Sequence, residues 1–76
     1  MKILIVGSGG REHALGWKLK QSPLVTEIIA SPGNPGLAEL GRCFPHKVTD
    51  IAELAALALR EQAELVVIGP EAAAAA

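Results

Sequence analysis

Two aliphatic runs constrain this chain more than any other feature. "KILIV" (residues 2–6) and "ELVVIG" (64–69) carry no polar side chain after their first residue. A strand wetted on one face alternates apolar with polar residues. An unbroken aliphatic run instead belongs to a strand buried on both faces, in a parallel sheet covered by helices. The intervening segments fit that plan. Residues 10–21 take a helical period, with Leu15 and Leu19 four apart and Ala14 beside them as the apolar face, and Lys18, Lys20 and Gln21 toward water. Pro23 stops this helix by biasing Ser22 away from helical angles. "TEIIAS" (26–31) reads as a second strand ended by the Pro32-Gly33 turn. The loop "SPGNPGLAELG" (31–41) has room for one helical turn at 37–40, and residues 44–48 read as a short third strand that Pro45 confines to an edge. Asp50, with Glu53 three residues on, resembles a capping box opening a helix to about Gln62, with Ile51, Leu54, Ala55 and Ala58 as its apolar face. The alternation predicts an α/β fold, the first part of a doubly wound open parallel sheet with flanking helices.

Composition narrows the function. Seventy-six residues make at most one small domain, and a chain of that size buries only about 60% of its unfolded surface. Such a sheet, open after its last strand, calls for more chain or a partner to cover it. Seven basic and eight acidic residues leave a net charge of −1, with no basic stripe for a nucleic acid or an anionic membrane. The apolar opening is too short for a signal peptide or a membrane span. A single cysteine, Cys43, excludes an internal disulfide and suits a reducing cytoplasm. The tail, residues 72–76, is five alanines and reads as truncated or unassigned.

Ligands of open parallel sheets bind beyond the carboxyl ends of the strands. Three loops fall on that edge: "GSGGREH" after the first strand, "SPGNPG" after the second and "GPE" after the last. A dinucleotide fingerprint needs a third glycine and an acid ending the second strand. Gly7 and Gly9 fit, but Glu12 stands in the third place, and Ala30 and Ser31 end the strand. NAD is therefore not expected. Gly9 and Gly10 offer free N–H groups at a helix N-terminus, which suits a single phosphate, with Arg11 adding charge. Glu71, stiffened by Pro70, can accept from the vicinal hydroxyls of a sugar. His13 reads as a hydrogen-bonding loop brace and Asn34 as a turn residue tolerating left-handed angles. Trp17 is expected to pack against further chain. No paired carboxylates, metal-spaced His/Cys cluster, Walker lysine or nucleophile elbow occurs, so neither catalytic nor metal residues are assigned.

Taken together, "KILIVGSGGREHALGWKL", "SPGNPG" and "ELVVIGPE" resemble the N-terminal region of the glycinamide ribonucleotide synthetase family, the phosphoribosylamine–glycine ligases, over positions 1–71. The resemblance implies a partial N-terminal pre-ATP-grasp domain (1–71) of Rossmann-like topology. It also implies a cytoplasmic enzyme of de novo purine synthesis that joins glycine to 5-phosphoribosylamine with ATP and magnesium, through a glycyl phosphate. ATP and metal fall to downstream lobes, so the 76 residues by themselves are expected to be inactive and to pack against the remainder of their own chain. By resemblance, Gly9, Gly10, Arg11 and Glu12 line the phosphoribosylamine side of the site, and Glu71 faces the ribose. Two departures stand out: Gln62 replaces the family's helix-ending glycine, and alanines follow Glu71. Two alternatives remain open from the residues: the same domain in another ATP-grasp carboxylase or ligase, and a non-catalytic nucleotide-binding module.

Overall fold

The first aliphatic run forms the middle of the sheet. In the computed structural model, which describes residues 1–69, β1 (Lys2–Gly7) lies between β2 (Glu27–Pro32) and β4 (Leu65–Ile68), while β3 (Arg42–Cys43) flanks β2. Every pairing is parallel. Three helices complete this region: α1 (Gly10–Lys20), α2 (Pro35–Leu40) and α3 (Ile51–Arg60). Leu4, Val6 and Ile29 pack on Leu54 and Leu57 of α3. Ile3, Ile5, Ile28 and Ala30, pointing the other way, pack on Leu37 of α2, with Leu19 of α1 partly buried against them. Successive side chains of a strand alternate faces, so covering both faces requires an aliphatic residue at every position. The expected α/β open parallel sheet with flanking helices is the fold observed. Pro70, Glu71 and the alanines 72–76 lie outside the described residues.

Several elements depart from the sequence reading. The third strand comes earlier than residues 44–48. Phe44 N–H still donates to the Ala30 carbonyl at 2.9 Å, but Pro45 has no N–H, and the ladder ends there. Residues 44–46 are held instead by Ser31, whose fully buried hydroxyl reaches the carbonyls of Phe44 (3.0 Å) and His46 (2.8 Å) and accepts from the His46 N–H (3.1 Å). Helix α1 also presents a different face. Leu15 and Trp17 are exposed and Ala14 faces solvent, whereas Glu12 and Gly16 are buried. Gly16 permits the close approach: a Cβ there would stand 2.9 Å from Leu37 Cδ2 and 3.3 Å from Ile5 Cδ1.

The apolar face expected of α3 divides in two. Leu54 packs on the sheet with Leu57, which the sequence reading omitted, while Ile51 and Ala55 are exposed. Ile51, Ala55 and Ala58 face Val66 and Ile68 of β4 across an apolar groove of about 240 Å³. Asp50 caps the helix through the Glu53 N–H (3.4 Å), but its own N–H donates to Lys47 (3.0 Å), so the capping box is only half made. At the other end, Gln62 takes a left-handed φ of 58°. Its N–H reaches Leu59 (3.2 Å) and that of Ala63 reaches Ala58 (2.9 Å), the bond pair of a glycine-type helix stop. A side chain in that conformation costs about 1 kcal/mol that glycine would not.

The amino edge of the sheet is closed by charge. Lys2 Nζ pairs with Glu61 (3.0 Å) and Glu27 (3.3 Å), and Arg42 pairs with Glu27 (2.9 Å) and Glu61 (2.6 Å). Hydrogen bonds from Arg42, then Lys2, hold the Glu27 carboxyl below its ordinary range, and those from Lys2, then Arg42, do the same for Glu61. This ring joins three strands to the end of α3. No helix among the described residues is long and apolar enough to cross a membrane.

Candidate functional site

Parallel registration gathers the glycine-rich loops. Gly7 stands opposite Pro32, and Val6 opposite Ile68, so the chain leaves β1, β2 and β4 at one edge. Hydrogen bonds from Gly33 N–H to the Gly7 carbonyl (3.0 Å) and from Gly69 N–H to the Val6 carbonyl (2.9 Å) tie the three exits together. Gly7 turns away from the sheet with a φ of +148°, a conformation that side chains rarely adopt.

Helix α1 starts immediately beyond. Its N-cap, Gly9, offers no side-chain cap. Among the described residues, no acceptor meets the N–H groups of Gly10, Arg11 or Glu12. Gly10 and Arg11 are exposed, and a Cβ built on Gly10 would meet nothing within 4 Å. Orphan N–H groups at the positive end of a helix, with open space before them, carry a partial positive charge that attracts anions.

Glu12 points the other way. Its side chain is buried, 1% exposed, behind that N-terminus. The carboxyl group lies against Gly7 and Gly69: a Cβ on Gly7 would stand 2.7 Å from Oε1, and one on Gly69 would collide with the same atom. Among the described residues, neither carboxyl oxygen has a hydrogen-bond partner. Of the four residues expected to act together, Gly9, Gly10 and Arg11 thus line the open side and Glu12 supports it from within. Glu71, the fifth, lies outside the described residues.

Two neighbouring residues differ from expectation. Asn34 is not left-handed; its φ is −155°, and Gly33 carries the positive angle (75°). Asn34 is the N-cap of α2, its Oδ1 accepting from Leu37 N–H at 2.8 Å, while its Nδ2 donates to the carbonyls of Ser8 (2.9 Å) and Gly9 (3.1 Å). The signal was in the sequence, since Asn followed by Pro at the first helical position is a helix start. Among the described residues the His13 side chain makes no hydrogen bond; its ring lies against Gly36, leaving no room for a Cβ. Cys43 is free and exposed. No group of three or more metal-ligating side chains occurs among the described residues.

Comparison with known proteins gives the family. The family described as "Phosphoribosylglycinamide synthetase, N domain" matches residues 1–76. The chain is similar to a protein named phosphoribosylamine–glycine ligase from Phenylobacterium zucineum, at 58% identity over 71 residues. Proteins of the same name from Xylella fastidiosa and Caulobacter vibrioides are 56% and 53% identical over 73 residues. These alignments take in 93%, 93% and 96% of this chain, which spans 17% of the length of each relative.

Proposed function

Because the chain belongs to the phosphoribosylglycinamide synthetase N-domain family, we propose that it is the opening part of a cytoplasmic ligase that joins glycine to 5-phosphoribosylamine in purine synthesis. This part holds the phosphoribosylamine. The observation that carries the reading is the open N-terminus of α1, with its unaccepted N–H groups at Gly10 and Arg11. The substrate's phosphate sits on those donors, and Arg11 neutralises part of its charge. Gly9 lets the backbone approach, and Glu12 supports the turn from behind. Glu71, two residues past the end of the described chain, accepts from the ribose hydroxyls. With phosphate and sugar fixed, the amine is held in one place, which converts an encounter between two substrates into an oriented attack. When bound, ATP with magnesium supplies the phosphoryl group that activates the glycine carboxylate, and both are held by downstream parts of the protein. The groove between α3 and β4 seats part of that remaining chain.

Removing the Glu71 carboxylate tests the sugar contact. Glu71→Ala in the full-length protein should raise the KM for phosphoribosylamine about ten- to hundred-fold, the loss expected for a hydrogen bond to a charged group. The KM for ATP should stay nearly constant. A rise confined to ATP would assign this edge to the nucleotide.

A further inference from the structure

Asn34 stands on a different loop from the N–H groups assigned to phosphate, yet it touches the peptide that carries one of them, the Gly10 N–H, and the peptide before it. Its Nδ2 donates to the Ser8 carbonyl at 2.9 Å and to the Gly9 carbonyl at 3.1 Å. A peptide unit is planar and trans, so its N–H points opposite to its carbonyl. The Ser8 carbonyl shares a plane with the Gly9 N–H, and the Gly9 carbonyl with the Gly10 N–H. Fixing the two carbonyls therefore fixes the aim of two consecutive donors, directed away from Asn34. A hydrogen bond accepted at the carbonyl also polarises the same peptide, making its N–H a stronger donor. Asn34 is itself immobilised, because its Oδ1 caps α2 through Leu37 N–H at 2.8 Å. The packing of His13 of α1 against Gly36 of α2 supports the same junction.

We propose that Asn34 is a positioning residue that orients the Gly9 and Gly10 peptides for the substrate phosphate, an inference that rests on the phosphate site proposed above. The Gly9 carbonyl also accepts from the His13 N–H at 3.3 Å, so Asn34 adds a second anchor to that peptide, and its bond to the Ser8 carbonyl extends the hold to the peptide before it. Helix capping and clamping use different atoms of the side chain, so the two roles separate by substitution. Serine keeps an oxygen that can cap α2 but has no amide to donate to both carbonyls.

In the full-length protein, Asn34→Ser should speed exchange of the His13 amide, whose bond to the Gly9 carbonyl (3.3 Å) closes the first turn of α1, about tenfold. Exchange in α2 should be unchanged. The KM for phosphoribosylamine should rise about tenfold, with kcat and the KM for ATP held. If the serine variant folds poorly, Asn34→Thr, also a capping residue without an amide, makes the same comparison. Faster exchange with an unchanged KM would reduce Asn34 to a structural brace and overturn the proposal. A raised KM with unchanged exchange would also overturn it, since Asn34 would then act by another route. Gly10→Val separates this inference from the site on which it depends. If Gly10→Val raises the KM for phosphoribosylamine and Asn34→Ser does not, the positioning role alone fails. If neither raises it, the phosphate lies elsewhere and both fail.

Discussion

Gly69→Ala is expected to cost about 3 kcal/mol of stability, the upper range for forcing an atom into a packed interior. The new Cβ would fall on Glu12 Oε1, and Glu12 has nowhere to retreat, because Gly7 closes the other side and leaves 2.7 Å between its own virtual Cβ and the same oxygen. Either Glu12 leaves its buried place and carries the start of α1 with it, or β4 separates from β1. The cause can be isolated by a double-mutant cycle. Glu12→Ala alone should change stability little, since among the described residues its carboxyl oxygens have no partner to lose. In that background Gly69→Ala should become mild, giving a coupling of about 2 kcal/mol. Hydrogen exchange at the β1 amides of Leu4 to Val6 in the full-length protein reads the opening of this sheet. An equal cost with and without Glu12 would show that something other than this contact makes Gly69 necessary.

The reason this contact escaped the sequence lies in Glu12 itself. A glutamate in the first turn of a helix ordinarily faces water and complements the dipole. Here the glycines at 7 and 69 open a space that the carboxyl group fills, and residues 62 apart in sequence create that space together. The same limit explains the misjudged helix faces. In α1, Gly16 contributes nothing to an apolar pattern yet is buried where an added Cβ would crowd Leu37, while Leu15 and Trp17 stay exposed. In α3, the apolar stripe is wider than the sheet it meets, so Ile51 and Ala55 line an open groove. The strands were legible because two-sided burial requires a local and continuous signal, as in residues 2–6. The common edge of the loops followed from parallel pairing, and the register of Gly7 with Pro32 places the first two loops side by side. Asn34 was legible in kind but not in reach: its neighbour Pro35 marks a helix start, whereas its bonds to Ser8 and Gly9 depend on how two loops meet.

Gly10→Val should leave the fold intact and damage substrate binding severely. A Cβ at Gly10 meets no atom within 4 Å, so the valine has space in the protein, and valine's helix propensity is no worse than glycine's. That same space is where the phosphate is proposed to rest. Valine would cover the N–H groups of Gly10 and Arg11, removing two charge-assisted hydrogen bonds together. The KM for phosphoribosylamine should therefore rise at least a hundredfold, equivalent to about 3 kcal/mol, with the KM for ATP nearly unchanged. Steady-state kinetics on each substrate, beside a thermal melt, distinguishes this from loss of structure. An unchanged melt with unaltered kinetics would remove the phosphate from this turn.

The most direct measurement is the position of the phosphate itself. Ribose 5-phosphate, which keeps the phosphate and sugar of the substrate but lacks its amine, can be crystallised with the full-length protein. The phosphate oxygens should lie within hydrogen-bonding distance, about 2.7–3.2 Å, of the Gly10 and Arg11 backbone nitrogens at the start of α1. A well-ordered ribose 5-phosphate bound elsewhere, with those two N–H groups left to water, would contradict the account.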